Sequence, residues 1–160
     1  MNLQDYHQKA KAQQSEHKKF LNRIKQKPPK DFDRKMLEIH EKVFDQIDCL
    51  SCTNCCKTTG PLFTQKDIER LAKLFRMKPS QFIEKYLRID EDNDYVLQSV
   101  PCPFLGADNY CSVYEHRPKA CREYPHTDRK KFYQINLLTL KNTLICPATY
   151  EVVEEMRERF

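Results

Sequence analysis

Cys49, Cys52, Cys55 and Cys56 spell CxxCxxCC within eight residues, and Cys102, Cys111, Cys121 and Cys146 follow with eight, nine and 24 residues between them. Two-residue gaps let successive thiolates converge on one centre, because the backbone amides of such a loop turn inward and point at the sulfurs. Cysteines that act as small apolar fillers are usually scattered singly. These four stand instead among Ser51, Thr53, Asn54 and Lys57. All eight cysteines are therefore candidate metal ligands. A tetrahedral ion takes four of them, so eight thiols imply more than one centre or a polynuclear one. Consecutive side chains leave the backbone in different directions, which assigns Cys55 and Cys56 to different metals. On this reading Cys49, Cys52 and Cys55 share a centre with a downstream Cys-Pro cysteine, and Cys56 joins others among Cys102, Cys111, Cys121 and Cys146.

Spacing narrows the chemistry further. A thioredoxin-like CxxC needs a βαβ context, which the sequence lacks, and a zinc ribbon needs a second CxxC. Bacterial ferredoxins begin CxxCxxC and complete a cluster with Cys-Pro, which Cys102-Pro103 and Cys146-Pro147 both supply. Zinc, iron and an iron-sulfur cluster all remain open as the bound group. Four thiolates on a divalent zinc leave a net negative charge, and Arg117, Lys119, Arg122 and Arg129 lie in the segment around Cys121 to offset it. His116 and His126 are alternative ligands. Gly60 and Gly106 are the only glycines, so no Gly-rich phosphate loop exists, and neither a Ser-His-Asp arrangement nor a carboxylate pair stands out. Whether the protein is an enzyme is left open. An iron-sulfur centre would suit a redox or protein-modifying enzyme, and a closed zinc site would suit an interaction module.

The elements that must position these residues are mostly helical. Residues 2–26 contain neither Gly nor Pro, and Leu3, Tyr6, Ala10, Gln13, His17, Phe20 and Ile24 recur at alternating steps of three and four. Pro28-Pro29 ends that helix by removing two backbone donors. A second amphipathic helix is predicted from Asp31, with Phe32, Met36, Ile39, Val43 and Ile47 on one face. Residues 49–59 read as an irregular metal-binding knuckle, and Gly60-Pro61 turns the chain out of it. Thr64 and Asp67 resemble a capping box opening a helix through Ile68, Leu71, Leu74 and Phe75. Pro79 starts a short helix bearing Phe82, Ile83, Tyr86 and Leu87. Residues 90–94 are an exposed acidic turn before a short strand, Tyr95-Val96-Leu97, and residues 100–126 are irregular. Phe132 to Ile145 suits a buried strand pair or a helix equally. Pro147 begins a last helix through Tyr150, Val153 and Met156.

Taken together, the fold class is mainly α: a small irregular metal-stabilised domain with at most a minor β element and an N-terminal helical arm. Hydrophobic residues make up 39% of the 160 and mean hydropathy is −0.80, a thin apolar core that bound metal would reinforce. Residues 1–30 carry eight Lys or Arg against two acids, whereas the remainder carries 20 against 21. The expected organisation is thus a basic arm over 1–30 and a cysteine-cluster domain over 31–160. Lys9, Lys11, Lys18, Lys19, Arg23, Lys25 and Lys27 suit a protein partner, or more weakly a nucleic-acid backbone. No apolar run is long enough for a signal peptide or membrane span, so the expected location is the cytoplasm, where thiols stay reduced and cysteine clusters hold metal.

Cys49 to Cys56, Cys102-Pro103-Phe104-Leu105, Cys111 to Pro118 and Cys121-Arg122-Glu123-Tyr124-Pro125 together resemble the YkgJ-type CxxCxxCC cysteine-cluster family. The resemblance covers roughly residues 45–150 and includes the helix at Asp67-Ile68. It implies a zinc- or iron-chelating domain whose ligands are the matching cysteines. The basic N-terminal helix lies outside the shared motifs.

Overall fold

The computed structural model describes residues 2–160. In chain order its helices are α1 (Leu3–Gln26), α2 (Phe32–Phe44), α3 (Cys49–Cys52), α4 (Asn54–Thr58), α5 (Gln65–Leu74), α6 (Pro79–Tyr86), α7 (Lys119–Glu123), α8 (Asn136–Asn142) and α9 (Pro147–Arg159). Three strands, β1 (Leu62–Phe63), β2 (Leu87–Ile89) and β3 (Tyr95–Leu97), make the only sheet among these residues. The mainly helical expectation with a minor β element holds. Contacts divide the chain into a helical unit, from the N-terminus to Asp48 together with Pro125–Phe160, and a cysteine unit, Cys49–Tyr124.

In the helical unit, α1 starts where the Asn2 side chain accepts the Gln4 N–H at 3.0 Å, with Asp5 in the first turn and Arg23 and Lys25 in the last, the signs the helix dipole favours. Its apolar stripe buries Tyr6, Ala10, His17, Phe20, Leu21 and Ile24 and packs on α8 and α9. All six cations of α1, and Lys27 at its C-cap, lie on the exposed surface. Charge and packing therefore divide the chain at different places: the basic stretch ends near residue 30, but α1 shares a unit with the C-terminal helices. Several polar groups inside that unit are paired across elements. His17, fully buried, meets Glu154 at 2.7 Å, Gln14 donates to Thr143 Oγ1 at 2.8 Å, and Asn136 donates to the Leu21 carbonyl at 2.6 Å. The Tyr6 hydroxyl donates to the Thr143 carbonyl. Phe32, Met36, Ile39 and Val43 are the buried face of α2, which packs on α9. The ambiguous stretch resolves as a 3₁₀ turn, Phe132–Ile135, followed by α8.

The cysteine unit is built around its small sheet, in the order β1-β3-β2 with both pairings antiparallel. Leu62 faces Val96, and Leu87 faces Leu97. Leu87 was expected to extend α6 but opens β2, where pairing of Leu87, Arg88 and Ile89 with β3 decides the conformation. The core joins Phe63, Ile68, Leu71, Ala72, Phe82, Leu87, Leu97, Phe104 and Val113. Phe82 and Phe104 lie nearly parallel, 7° apart with centroids at 6.1 Å, and Phe75 stacks on Phe104 at 5.6 Å. Cys102 and Cys111 pack against this cluster. Leu74, expected on the apolar face of α5, is exposed, and Ala72 takes the buried place beside Leu71. Phe82 is fully buried at the centre of the cluster. Phe82→Ala should therefore destabilise this unit by about 3–5 kcal/mol, read as a lowered denaturation midpoint in near-UV circular dichroism.

Candidate metal centre

The CxxCxxCC segment opens the cysteine unit as two short helices rather than as the irregular knuckle expected. Cys49 and Cys52 bound α3, Cys55 and Cys56 lie on α4, and Thr53 between them holds φ at 48°. A β-branched residue is strained in that left-handed region. The two turns are nevertheless continuous in hydrogen bonding, with the Thr53 N–H on the Cys49 carbonyl at 3.1 Å and the Lys57 N–H on the Thr53 carbonyl at 3.2 Å.

Cys102 comes to this helix directly. Its N–H donates to the Cys56 carbonyl at 2.8 Å, just after the cis Val100–Pro101 peptide. Leu105 pairs with Cys111 in an antiparallel bridge, and the Gly106 N–H donates to Tyr110 O at 2.8 Å. A Cβ at Gly106 would stand 2.6 Å from Asp108 Oδ1 and 3.2 Å from Tyr110 O, so a larger residue there would displace the Asp108 side chain and crowd the turn from Cys102 to Cys111. The Cys102 sulfur accepts the N–H groups of Phe104 and Leu105, and the Cys111 sulfur that of Val113. These are the inward amides expected of a thiolate-binding loop, found at the second group of cysteines.

The sulfurs of Cys56, Cys102, Cys111 and Cys121 act on one another. Burial pushes the Cys102 and Cys111 thiols up, and the nearby Cys56 sulfur adds to this in both. Cys121 is pushed up to about 12, by burial first and then by Cys56, Cys102 and Cys111, with Arg117 opposing. Cys56 moves the other way, to about 7, because the Cys55 thiol hydrogen-bonds to it. Burial resists that shift and the Lys57 charge assists it. Among the described residues no three Cys, His, Asp or Glu side chains already stand close enough to clasp an ion. What fits a metal here is the donor chemistry: four soft sulfurs from distant segments, two of them already bonded by backbone amides.

The segment carrying Cys121 is tied down by Asp67, which is 1% exposed. Its Oδ2 accepts the Thr64 N–H at 2.9 Å, closing the capping box. Its Oδ1 accepts Arg70 Nη2 at 2.9 Å and the Lys119 N–H at 3.1 Å. Burial raises the Asp67 carboxyl, but the bonds from Thr64, Arg70 and Lys119 outweigh it and hold the group below its ordinary value.

The other expected site residues are placed as follows. Cys49 is exposed and Cys52 half-buried. Cys146 belongs to the helical unit, buried before α9 with its N–H on the Asn142 carbonyl at 2.8 Å. Of the four cations expected to offset charge, Arg117 does so for Cys111 and Cys121 while its guanidinium lies 3.7 Å from the Tyr114 ring centroid. Lys119 offers its backbone N–H to Asp67, Arg122 bonds the Arg117 carbonyl at 2.8 Å, and Arg129 lies in the helical unit. The carbonyl of His116 accepts from Arg70, and His126 lies in the helical unit. Sequence reasoning missed Arg70 and the amides of Phe104, Leu105 and Val113. The amides had a signal, since Pro103 has no N–H and leaves residues 104 and 105 as the next donors.

A family model named CxxCxxCC, described as "Putative zinc- or iron-chelating domain", matches residues 48–140, more than half of the chain. The chain belongs to the CxxCxxCC family. No match was found among curated proteins or among solved structures. The CxxCxxCC match takes in seven of the cysteines, Cys49 through Cys121, and ends before Cys146. Metal binding is the general function this membership supports, and no described helix is long and apolar enough to cross a membrane.

Two outcomes follow for the metal-free, reduced CxxCxxCC protein. At pH 8 Cys56 is mostly thiolate and Cys121 a neutral thiol, so iodoacetamide should modify Cys56 early and Cys121 much later, as read by tandem mass spectrometry of timed samples. Because the Asp67 carboxyl is depressed in the fold, its contribution is present above the unfolded value of about 4 and is lost as pH falls through the folded one. Denaturation curves of the protein and of Asp67→Asn should therefore converge in acid and separate at neutral pH.

Proposed function

We propose that this protein chelates a zinc or iron ion through the thiolates of Cys56, Cys102, Cys111 and Cys121, and that Cys49, Cys52 and Cys55 form a separate set of thiols. The observation that carries this reading is the backbone path joining Cys56, Cys102 and Cys111. Cys102 donates to Cys56, and Leu105 bridges to Cys111. The amides of Phe104, Leu105 and Val113 bond two of the sulfurs. The influence of the other three sulfurs on Cys121 supports its place as the fourth. Bound metal would cross-link the segments at residues 56, 102, 111 and 121, a contribution on the order of 10 kcal/mol for a structural zinc site. That is comparable with the whole stability of a domain.

This is a structural and chelating role, exercised in a reducing compartment such as the cytoplasm, where the eight thiols stay unoxidised. The exposed cations of α1 support an acidic protein surface as the partner of the helical unit. The second reading is an iron-sulfur centre in a redox or protein-modifying enzyme. The Cys102-Pro103 pair and the number of thiols favour it, and visible absorbance of protein purified without oxygen separates it from zinc.

Elemental analysis of anaerobically purified protein tests the reading. Wild type should carry zinc or iron, Cys56→Ser should lose it, and Cys55→Ser should keep most of it, with chelation sharply lowering the melting temperature of the wild type. Metal-free wild type, or equal loss from Cys55→Ser and Cys56→Ser, would sink the four-thiol assignment.

A further inference from the structure

We propose that Asp67 and Arg70 are positioning residues of the metal centre, holding the 116–121 turn so that Cys121 completes the set formed by Cys56, Cys102 and Cys111. This rests on the four-thiol reading above.

The two carboxylate oxygens of Asp67 divide the work. Oδ2 takes the Thr64 N–H and finishes the start of α5, a purely local task. Oδ1 faces away from the cap and takes two donors at once, Arg70 Nη2 and the Lys119 N–H. Arg70 uses the same nitrogen on the carbonyls of His116 at 3.1 Å and Arg117 at 2.8 Å. Residues 116 and 117 are thus fixed to α5 through Arg70 and residue 119 through Asp67, which also holds Arg70, and Cys121 follows two residues later. A capping residue needs only one oxygen. A buried carboxylate whose second oxygen serves a segment more than fifty residues away serves that segment's position. Cys121 on α7 has to meet Cys56 on α4 and Cys102 and Cys111 from a third segment, and ligand geometry tolerates little error.

Asn at 67 separates the two tasks. Its single oxygen can cap Thr64, but its NH₂ then faces two donors, so the clamp fails while the cap survives. Arg70→Ala removes the arm to the carbonyls and leaves the capping box whole. Each purified variant would be loaded with Co²⁺, whose thiolate charge-transfer absorbance grows with the number of sulfur ligands. Helix content would be followed by far-UV circular dichroism. Both variants should lose about a quarter of the wild-type charge-transfer absorbance, matching Cys121→Ser, with helix content retained and metal affinity lowered about 10–100-fold. The double variant Arg70→Ala/Cys121→Ser should lose no more than Cys121→Ser alone. A four-thiolate spectrum and affinity kept by folded Arg70→Ala overturns the clamp while leaving the metal reading intact. A wild type without thiolate bands overturns the metal reading and the clamp with it. If Asp67→Asn unfolds, Arg70→Ala alone decides.

Discussion

Gathering thiols into one small, partly dehydrated volume is electrostatically self-limiting, because each sulfur that ionises makes the next harder to ionise. The cysteine unit is arranged around that constraint. Cys121, the most burdened of the four, sits where burial and three neighbouring sulfurs all oppose its ionisation. The countermeasures are local and specific. Backbone amides bond Cys102 and Cys111, the Arg117 guanidinium lies within reach of Cys111 and Cys121, and the Cys55 thiol supports charge on Cys56. A divalent cation would turn the same repulsion into attraction, which is why crowding that destabilises bare thiolates is what a chelating site requires.

Much of the fold was legible because its helices are amphipathic and punctuated. The 3.6-residue rhythm of α1, the Pro28-Pro29 stop, the Thr64 cap and the prolines at 79 and 147 mark elements whose signals are local. The parts that were not legible depend on distant partners. Strands β1 and β2 are two and three residues long and exist only because β3 lies between them. Residues 49–52 and 54–58 are helical despite Cys, Ser, Thr and Asn, all weak helix formers, so propensity alone pointed to a loop. In α8 the buried positions Asn136, Thr139 and Asn142 are polar, which hid its helical period from a hydrophobic count.

The candidate centre was legible as chemistry and not as geometry. Residue type and two-residue spacing single out the cysteines, but no spacing rule says that Cys56 would lie beside Cys102 while Cys146 falls in the helical unit. That grouping is decided by a backbone hydrogen bond and a two-residue bridge that form only after the chain has closed on itself. Asp67 shows the same limit from the other side. Its cap was readable three residues away, and its bond to Lys119 was not readable at all.

The order of units along the chain bears on how the protein is made. The helical unit is assembled from both ends of the chain, with the whole of residues 49–124 between them. During synthesis α1 and α2 emerge first, carrying Phe20, Leu21, Ile24, Met36, Ile39 and Val43 toward partners in α8 and α9 that the ribosome has not yet produced. At ordinary elongation rates that interval is on the order of ten seconds. The middle unit, Cys49–Tyr124, is complete in sequence by then and can mature in that time. The first two helices have to wait with their apolar faces uncovered, so the nascent chain passes through a stage in which its most basic segment is also its stickiest.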